Sequence, residues 1–153
     1  MRTISRASLA LAALSLSASA FAAGAPAAAA GTATGTLTAN DKAATVKLAR
    51  AVRTADGWIV KISDVAPPDN DHEAVGNGTL HVLTLTLGPK GDLQQWQVGH
   101  QGLEGLFLST SLADLKITKL GPDVVEGTVK RTPDTYGPNK IAFDVAFKAS
   151  VKK

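Results

Sequence analysis

The segment from Ile141 to Val151 alternates between apolar side chains and polar or small ones. The apolar set is Ile141, Phe143, Val145, Phe147, Ala149 and Val151. A β-strand points successive side chains to opposite faces, whereas a helix repeats every 3.6 residues. The period of two therefore predicts a strand with one buried face. Burial of its four large side chains would contribute about 2 kcal/mol each to folding.

The same period recurs along most of the chain, and glycine, proline and aspartate separate the alternating segments, as hairpin turns require. The predicted strands are residues 35–39, 43–53, 58–63, 79–87, 93–98, 105–110, 114–119, 124–132 and 139–151. Short connections favour antiparallel neighbours. The sequence predicts an all-β domain, a single antiparallel meander of eight or nine strands forming a barrel or sandwich. It allows a helix only in residues 109–115.

The N-terminal residues have the order of a secretory signal peptide. Arg2 and Arg6 precede an apolar stretch from Ser8 to Ala20, which is too short to span a bilayer, and small residues follow. We expect a signal peptide in residues 1–22, a flexible Ala/Gly-rich tether in 23–34 and the β domain in 35–153. The chain has no cysteine, so neither a disulfide nor a cysteine-linked lipid anchor can form. These features predict a periplasmic or secreted protein without a membrane span.

The charge balance gives no indication of nucleic-acid binding. The full chain has 16 Lys and Arg against 13 Asp and Glu, and loss of Arg2 and Arg6 leaves 14 against 13. A nucleic-acid interface normally shows a basic stripe with interleaved aromatic residues. The lysines here are scattered singly along the predicted strands, so we expect no nucleic-acid partner.

One polar connection concentrates residues that could bind a metal. Its candidate ligands are Asp69, Asp71, His72, Glu73 and His81. The alternating acids resemble part of a calcium loop, although Ala74 and Leu80 replace the glycine and the final glutamate of that motif. The connection is therefore a weak divalent-cation site, a catalytic loop or only a polar link between strands. Alternation also places His81 in line with Leu83 and Leu85, at the mouth of a core face.

Other side chains are candidates for ligand or partner contacts. Trp96 is flanked by glutamines that could hydrogen-bond a ligand, although a tryptophan on a strand also suits the core. The segment with Arg131, Asp134 and Tyr136 predicts a polar hairpin tip with an exposed aromatic side chain. His100 and Glu104 could form an acid–base pair. Arg50 lies in the apolar stripe of its strand, where it would need a bulge, a solvent-facing strand end or a carboxylate such as Asp64.

Several turn and core motifs occur in a characteristic order. They are GTLTA at Gly35, AVRTADGW from Ala51, SDVAP from Ser63, GPKGDLQQWQV from Gly88 and FDVAF from Phe143. In this order the chain resembles a family of small secreted bacterial β-proteins that have an S-D-x-x-P turn and a closing F-D-V-x-F strand. The resemblance implies a fold and a compartment. It implies no activity and no catalytic residue.

The common catalytic motifs are missing from the sequence. It has no cysteine nucleophile, G-x-S-x-G elbow, H-E-x-x-H pair or glycine-rich phosphate loop. We therefore expect a non-catalytic binding or interaction module whose ligand is a partner protein or a small molecule. Two alternatives are a metal-dependent or carboxylate-based hydrolase that uses the Asp69–Glu73 loop, and a structural envelope component. No cofactor is expected, apart from the weak divalent-cation site.

Overall fold

The fold is almost entirely β, as the alternation predicts. A computed structural model describes residues 30–66, 71–133 and 137–152. The nine strands are β1 Gly31–Ala39, β2 Lys42–Arg53, β3 Trp58–Ser63, β4 Val82–Leu87, β5 Leu93–Gly99, β6 Leu106–Ser109, β7 Asp114–Leu120, β8 Val124–Arg131 and β9 Ile141–Lys152. One short helix, α1, spans Asp71–Gly76. No helix in the described ranges is long and apolar enough to cross a membrane.

All nine strands belong to one sheet. Their order is β6-β5-β4-β3-β2-β1-β9-β8-β7, so the first and last strands of the chain pair at its centre. Neighbours in this order are antiparallel. A short parallel contact also joins Arg50–Val52 of β2 to Ser150–Lys152 of β9, beyond the beginning of β1. The sequence-based prediction of an antiparallel meander is confirmed.

The two edge strands, β6 and β7, follow each other in the chain. Eight antiparallel steps separate them in the sheet, so they run in the same direction. Only residues 110–113 lie between them. They therefore act as two halves of one broken strand, of which β6 pairs with β5 and β7 with β8. The sheet curls into a barrel around its core, where the rings of Trp96 on β5 and Phe143 on β9 lie 5.5 Å apart.

The core comes from one face of the strands. In β9 all six residues of the predicted apolar set are buried. Leu83, Leu85 and Leu87 of β4 are also buried, so the second predicted stripe is confirmed. Gly35 of β1 has φ of +139°, and a Cβ there would lie 2.1 Å from the Asp144 carbonyl oxygen. Only glycine lets β9 approach β1 so closely at this point.

Several boundaries differ from the prediction. β1 begins at Gly31, so the last four residues of the expected tether belong to the sheet. The helix allowed in residues 109–115 is wrong, because β6 ends at Ser109 and β7 begins at Asp114. The observed helix instead lies in the polar connection between β3 and β4.

Arg50 does not share the buried stripe that simple alternation assigns to it. Val46 is buried, but further along β2 the buried residues are Ala49 and Ala51, so the alternation changes phase within the strand. Arg50 is half-buried on the opposite side from these alanines. The carboxylate of Asp64, considered as its partner, instead bonds His81.

Candidate functional site

Three polar side chains lie together at one opening of the barrel, where β3 and β5 end and β4 begins. The last paired row of these strands contains Ser63, Val82 and Gly99. The residues one position further out are Asp64, His81 and His100. His81 continues the inward-facing series of Leu83, as predicted. We call these three residues the mouth row.

Asp64 holds His81 by two hydrogen bonds. Its Oδ1 accepts from the His81 backbone N–H at 2.9 Å, and its Oδ2 lies 2.6 Å from His81 Nδ1. Oδ1 also accepts from the Val65 N–H at 2.9 Å. Burial by itself raises the pKa of Asp64, but the bonds from His81 and Val65 outweigh burial and lower it. Asp64 is therefore ionised at neutral pH.

His100 is completely buried, with 0% of its surface exposed. Its ring centroid lies 4.6 Å from that of His81, and its Nδ1 accepts a hydrogen bond from the Gly102 N–H at 2.9 Å. Burial, together with the charges of His81 and Lys42, lowers the pKa of His100 to about 4. Asp64 and the Leu37 backbone act in the opposite direction but are weaker. His100 is therefore neutral at pH 7.

The hydrogen bonds decide which ring nitrogens carry protons. Because His100 Nδ1 is an acceptor, the proton of the neutral ring lies on Nε2. Because Asp64 accepts from His81 Nδ1, that nitrogen carries a proton. Both Nε2 atoms are buried and without a hydrogen-bond partner among the described residues.

Metal ligation by His100 would require a change in its present hydrogen bonding. A histidine ligates through an unprotonated nitrogen, and His100 Nε2 carries the proton while Nδ1 is occupied by Gly102. Within residues 30–66, 71–133 and 137–152, no group of three or more metal-ligating side chains is placed to hold an ion.

A cleft of about 500 Å³ opens beside the mouth row. It lies between the β1–β2 turn, the loop of residues 100–105 and the segment that leads into β9. Its lining residues are Asn40, Gly102, Leu103, Glu104, Gly105, Leu106, Phe107, Pro138 and Asn139. We call this opening the mouth cleft and residues 100–105 the mouth loop.

Asn40 ties together the three segments around the mouth cleft. Its backbone N–H donates to the Lys140 carbonyl at 2.9 Å, and its Oδ1 accepts from the Lys140 N–H at 2.8 Å. Its Nδ2 donates to the Gly102 carbonyl at 2.9 Å. Asn40 and Asp41 both have positive φ, 49° and 65°, which suits a two-residue hairpin turn. This turn therefore fixes the walls of the cleft relative to each other.

The strand β6 forms one wall of the mouth cleft. Leu106 and Phe107 line the cleft, and the neighbouring Leu108 is 53% exposed. In the described part of the chain β6 has a ladder with β5 and with no other strand. Its second edge therefore presents backbone donors and acceptors beside an apolar side chain.

The described residues of the predicted metal loop are not brought together. Asp71 begins α1, and its Oδ2 forms an ion pair with Lys61 Nζ at 2.6 Å. Glu73 is exposed, and His81 belongs to the mouth row. The helix α1 packs Val75 against Leu80 and Val82, in a cluster separate from the main core. Asp69 and the side chain of His72 lie outside the described part of the structure.

The other predicted contact residues are only partly described. Trp96 lies in the core with 1% of its surface exposed, so its interpretation as a core residue is confirmed. Its Nε1 donates to the Ser111 carbonyl at 2.9 Å. Arg131 is buried at the end of β8, with its guanidinium 4.8 Å from the Trp96 ring centroid. Arg131 thus lies at the end of β8, within the predicted strand 124–132, and its predicted partner contact stays a prediction. Asp134 and Tyr136 lie outside the described residues.

Sequence reasoning missed two contributors to the mouth. The sequence around Asn40 indicates only a turn, whereas its side chain contacts Gly102 and Lys140, which are 62 and 100 residues away. Asp64 was considered as a partner for Arg50, whereas the pairing of Ser63 with Val82 brings it to His81. The predicted pair of His100 and Glu104 is not formed, since His100 is buried and Glu104 is exposed.

Comparison with known proteins provides no relative. No family model matches the chain, and neither a curated protein nor a solved structure is significantly similar to it. Membership of the small secreted β-protein family stays a prediction.

Proposed function

We propose that this domain acts after export as a non-catalytic binding module, and that it takes an extended peptide segment of a partner protein in the mouth cleft. The observation that carries the proposal is the second edge of β6, which borders the cleft and has no ladder partner among the described residues. An extended peptide can pair with such an edge by adding a strand to the sheet.

The side chains around this edge favour an amphipathic peptide. Leu103 and Phe107 provide apolar walls, and Leu108 extends the apolar surface beyond the cleft. Glu104 is exposed at the rim and would attract a lysine or arginine side chain of the peptide. Backbone pairing would supply affinity, and these side chains would supply selectivity.

The cleft is organised before a ligand arrives. The hydrogen bonds of Asn40 to Gly102 and Lys140 hold two of its walls, and the ladder between β5 and β6 holds the third. A preformed site avoids much of the entropic cost of ordering loops on binding. This arrangement supports binding as the role of the barrel mouth.

Export is proposed from the sequence. The basic Arg2 and Arg6, the apolar stretch Ser8–Ala20 and the small residues after it support cleavage by a signal peptidase. N-terminal sequencing of the protein from a periplasmic or culture fraction tests this directly. We expect a mature terminus near residue 21 or 23. An intact Met1 in the cytoplasmic fraction would contradict export.

Peptide binding can be tested by selecting a random displayed peptide library against the domain from residue 30 onward. Glu104→Lys and Leu108→Lys alter the cleft rim and the β6 edge. Asp56→Lys and Val52→Lys are matched controls, because Asp56 and Val52 are exposed and lie toward the opposite end of the barrel. We expect selected peptides to bind the two cleft variants about tenfold or more weakly, a loss typical of interface charges and contacts. Peptides that bind all four variants equally would contradict the proposal.

A further inference from the structure

We propose that the mouth loop is an acid-sensitive latch: the neutral ring of His100 holds the loop closed, and protonation of His100 releases it and opens the mouth cleft. The inference deepens the proposed function, because the loop that is released lines the proposed binding site. Its consequence for a bound peptide rests on that function, but the latch itself does not.

The latch depends on one hydrogen bond. The Gly102 N–H donates to His100 Nδ1 at 2.9 Å, which requires an unprotonated Nδ1. In the imidazolium form Nδ1 also carries a proton, and two donors would then face each other. This arrangement is unfavourable for the buried ring, so protonation disfavours the closed loop.

Gly102 has little room to adjust locally. A Cβ at this residue would lie 2.3 Å from the Ala39 carbonyl oxygen, so its backbone packs directly on the end of β1. Its own carbonyl accepts from Asn40 Nδ2, and the next residue, Leu103, donates its N–H to the His100 carbonyl at 2.9 Å. Displacement of Gly102 therefore also breaks the tie to Asn40 that fixes the wall of the cleft.

The groups around His100 determine the pH range in which its ring becomes protonated. His81 precedes β4, Asp64 follows β3, Lys42 begins β2, and Leu37 contributes its backbone from β1. Burial and the charges of His81 and Lys42 oppose a charged ring, and together they outweigh Asp64 and Leu37. The pKa is lowered from 6.5 to about 4 in the closed state. A ring released to solvent would regain its ordinary pKa, so acidification to pH 3.5 shifts the closed–open equilibrium about 200-fold toward the open state.

Amide hydrogen exchange in the unliganded wild-type domain tests the latch. The Gly102 and Leu103 amides report loop opening, and the Val145 amide in the middle of β9 is the internal control for unfolding of the whole barrel. After correction for the intrinsic dependence of exchange on pH, we expect the loop amides to exchange faster than Val145 at both pH values, and their exchange to increase about 200-fold between pH 7 and pH 3.5. In His100→Asn, whose side-chain oxygen can accept from Gly102 but does not titrate, this increase in loop exchange should disappear.

Two results would overturn the latch. One is a loop whose amides exchange at the same corrected rate as Val145 at every pH, because the loop then opens only with the barrel. The other is an equal increase of loop exchange with acid in His100→Asn. If that variant does not fold, the comparison of Gly102 with Val145 in the wild-type domain decides alone. Neither measurement uses a peptide, so the latch and the proposed peptide binding can fail independently.

Discussion

The carboxylate of Asp64 bonds both the backbone N–H and the imidazole of His81, at 2.9 and 2.6 Å. The Asp64 N–H also donates to the His81 carbonyl at 3.2 Å. These contacts join the end of β3 to the beginning of β4. The long polar connection with α1 is thus closed at its base, and His81 is oriented beside His100.

Replacement of Asp64 by alanine should destabilise the domain by about 2 kcal/mol at pH 7. The change removes an ionised acceptor of three hydrogen bonds, and one bond to a charged group contributes about 1.5–3 kcal/mol. Because the Asp64 side chain is partly exposed, water can replace some of these bonds in the variant. Urea denaturation measures the effect. Asp56→Ala is the control, because Asp56 is exposed in a turn at the other end of the barrel. Equal losses in the two variants would show that the Asp64 contacts add no stability.

Folding stability should decrease as the pH falls from about 6.5 to 4. In this range an unfolded chain protonates His100, whereas the folded domain, in which the pKa is about 4, does not. The unfolded state then binds more protons, so acid favours it, by up to about 3 kcal/mol for this one group. Asp64, whose pKa is also lowered, adds a loss at still lower pH. His100→Asn should therefore show a shallower dependence on pH than wild type in urea denaturation. Parallel curves for the two proteins would contradict this assignment.

Replacement of Arg131 by methionine should lower the free energy of unfolding by about 2 kcal/mol. The buried guanidinium lies over the Trp96 ring and donates to the carbonyls of Ile141 and Thr132. Arg53→Met is the matched control, because Arg53 lies 5.6 Å from the Trp58 ring centroid but is exposed. We expect about 0.5 kcal/mol for that variant. Thermal melting or urea denaturation distinguishes the two variants. A larger loss of stability for Arg53→Met than for Arg131→Met would contradict the prediction.

A methyl group at Gly99 should conflict with α1. A Cβ there would lie 2.5 Å from Val75 Cγ2 and 2.9 Å from Leu106 Cδ2. We expect Gly99→Ala to cost about 1–3 kcal/mol through overpacking. In a Val75→Ala background the same change should cost less, because the nearest obstacle has been removed. Additive losses in a double-mutant cycle would mean that α1 does not pack on β5 as described.

The sheet could be predicted because alternation is a local signal. Each of the nine predicted strands overlaps an observed one, and the buried residues of β9 are those of its apolar set. Errors occurred where tertiary contacts override the local pattern. In β2 the phase changes between Val46 and Ala49, and α1 packs Val75 on an apolar cluster that its six-residue sequence does not indicate.

Only part of the barrel mouth could be predicted from the sequence. Alternation placed His81 at the end of a core face, but its distance from His100 depends on the register between β4 and β5. The role of Asn40 depends on contacts with residues far along the chain. Such contacts leave no pattern in the sequence, since any asparagine in a tight turn looks the same.

The central claim is that the barrel mouth binds the partner. The most direct measurement is the map of backbone amide chemical-shift changes when a selected peptide is added to the wild-type domain. We predict that the changes cluster in residues 102–108 and 137–140, with new slow-exchanging amides in β6. Changes centred on the outer groove between β1, β8 and β9, where Thr34, Thr128 and Lys148 lie, with an unchanged mouth would contradict the claim.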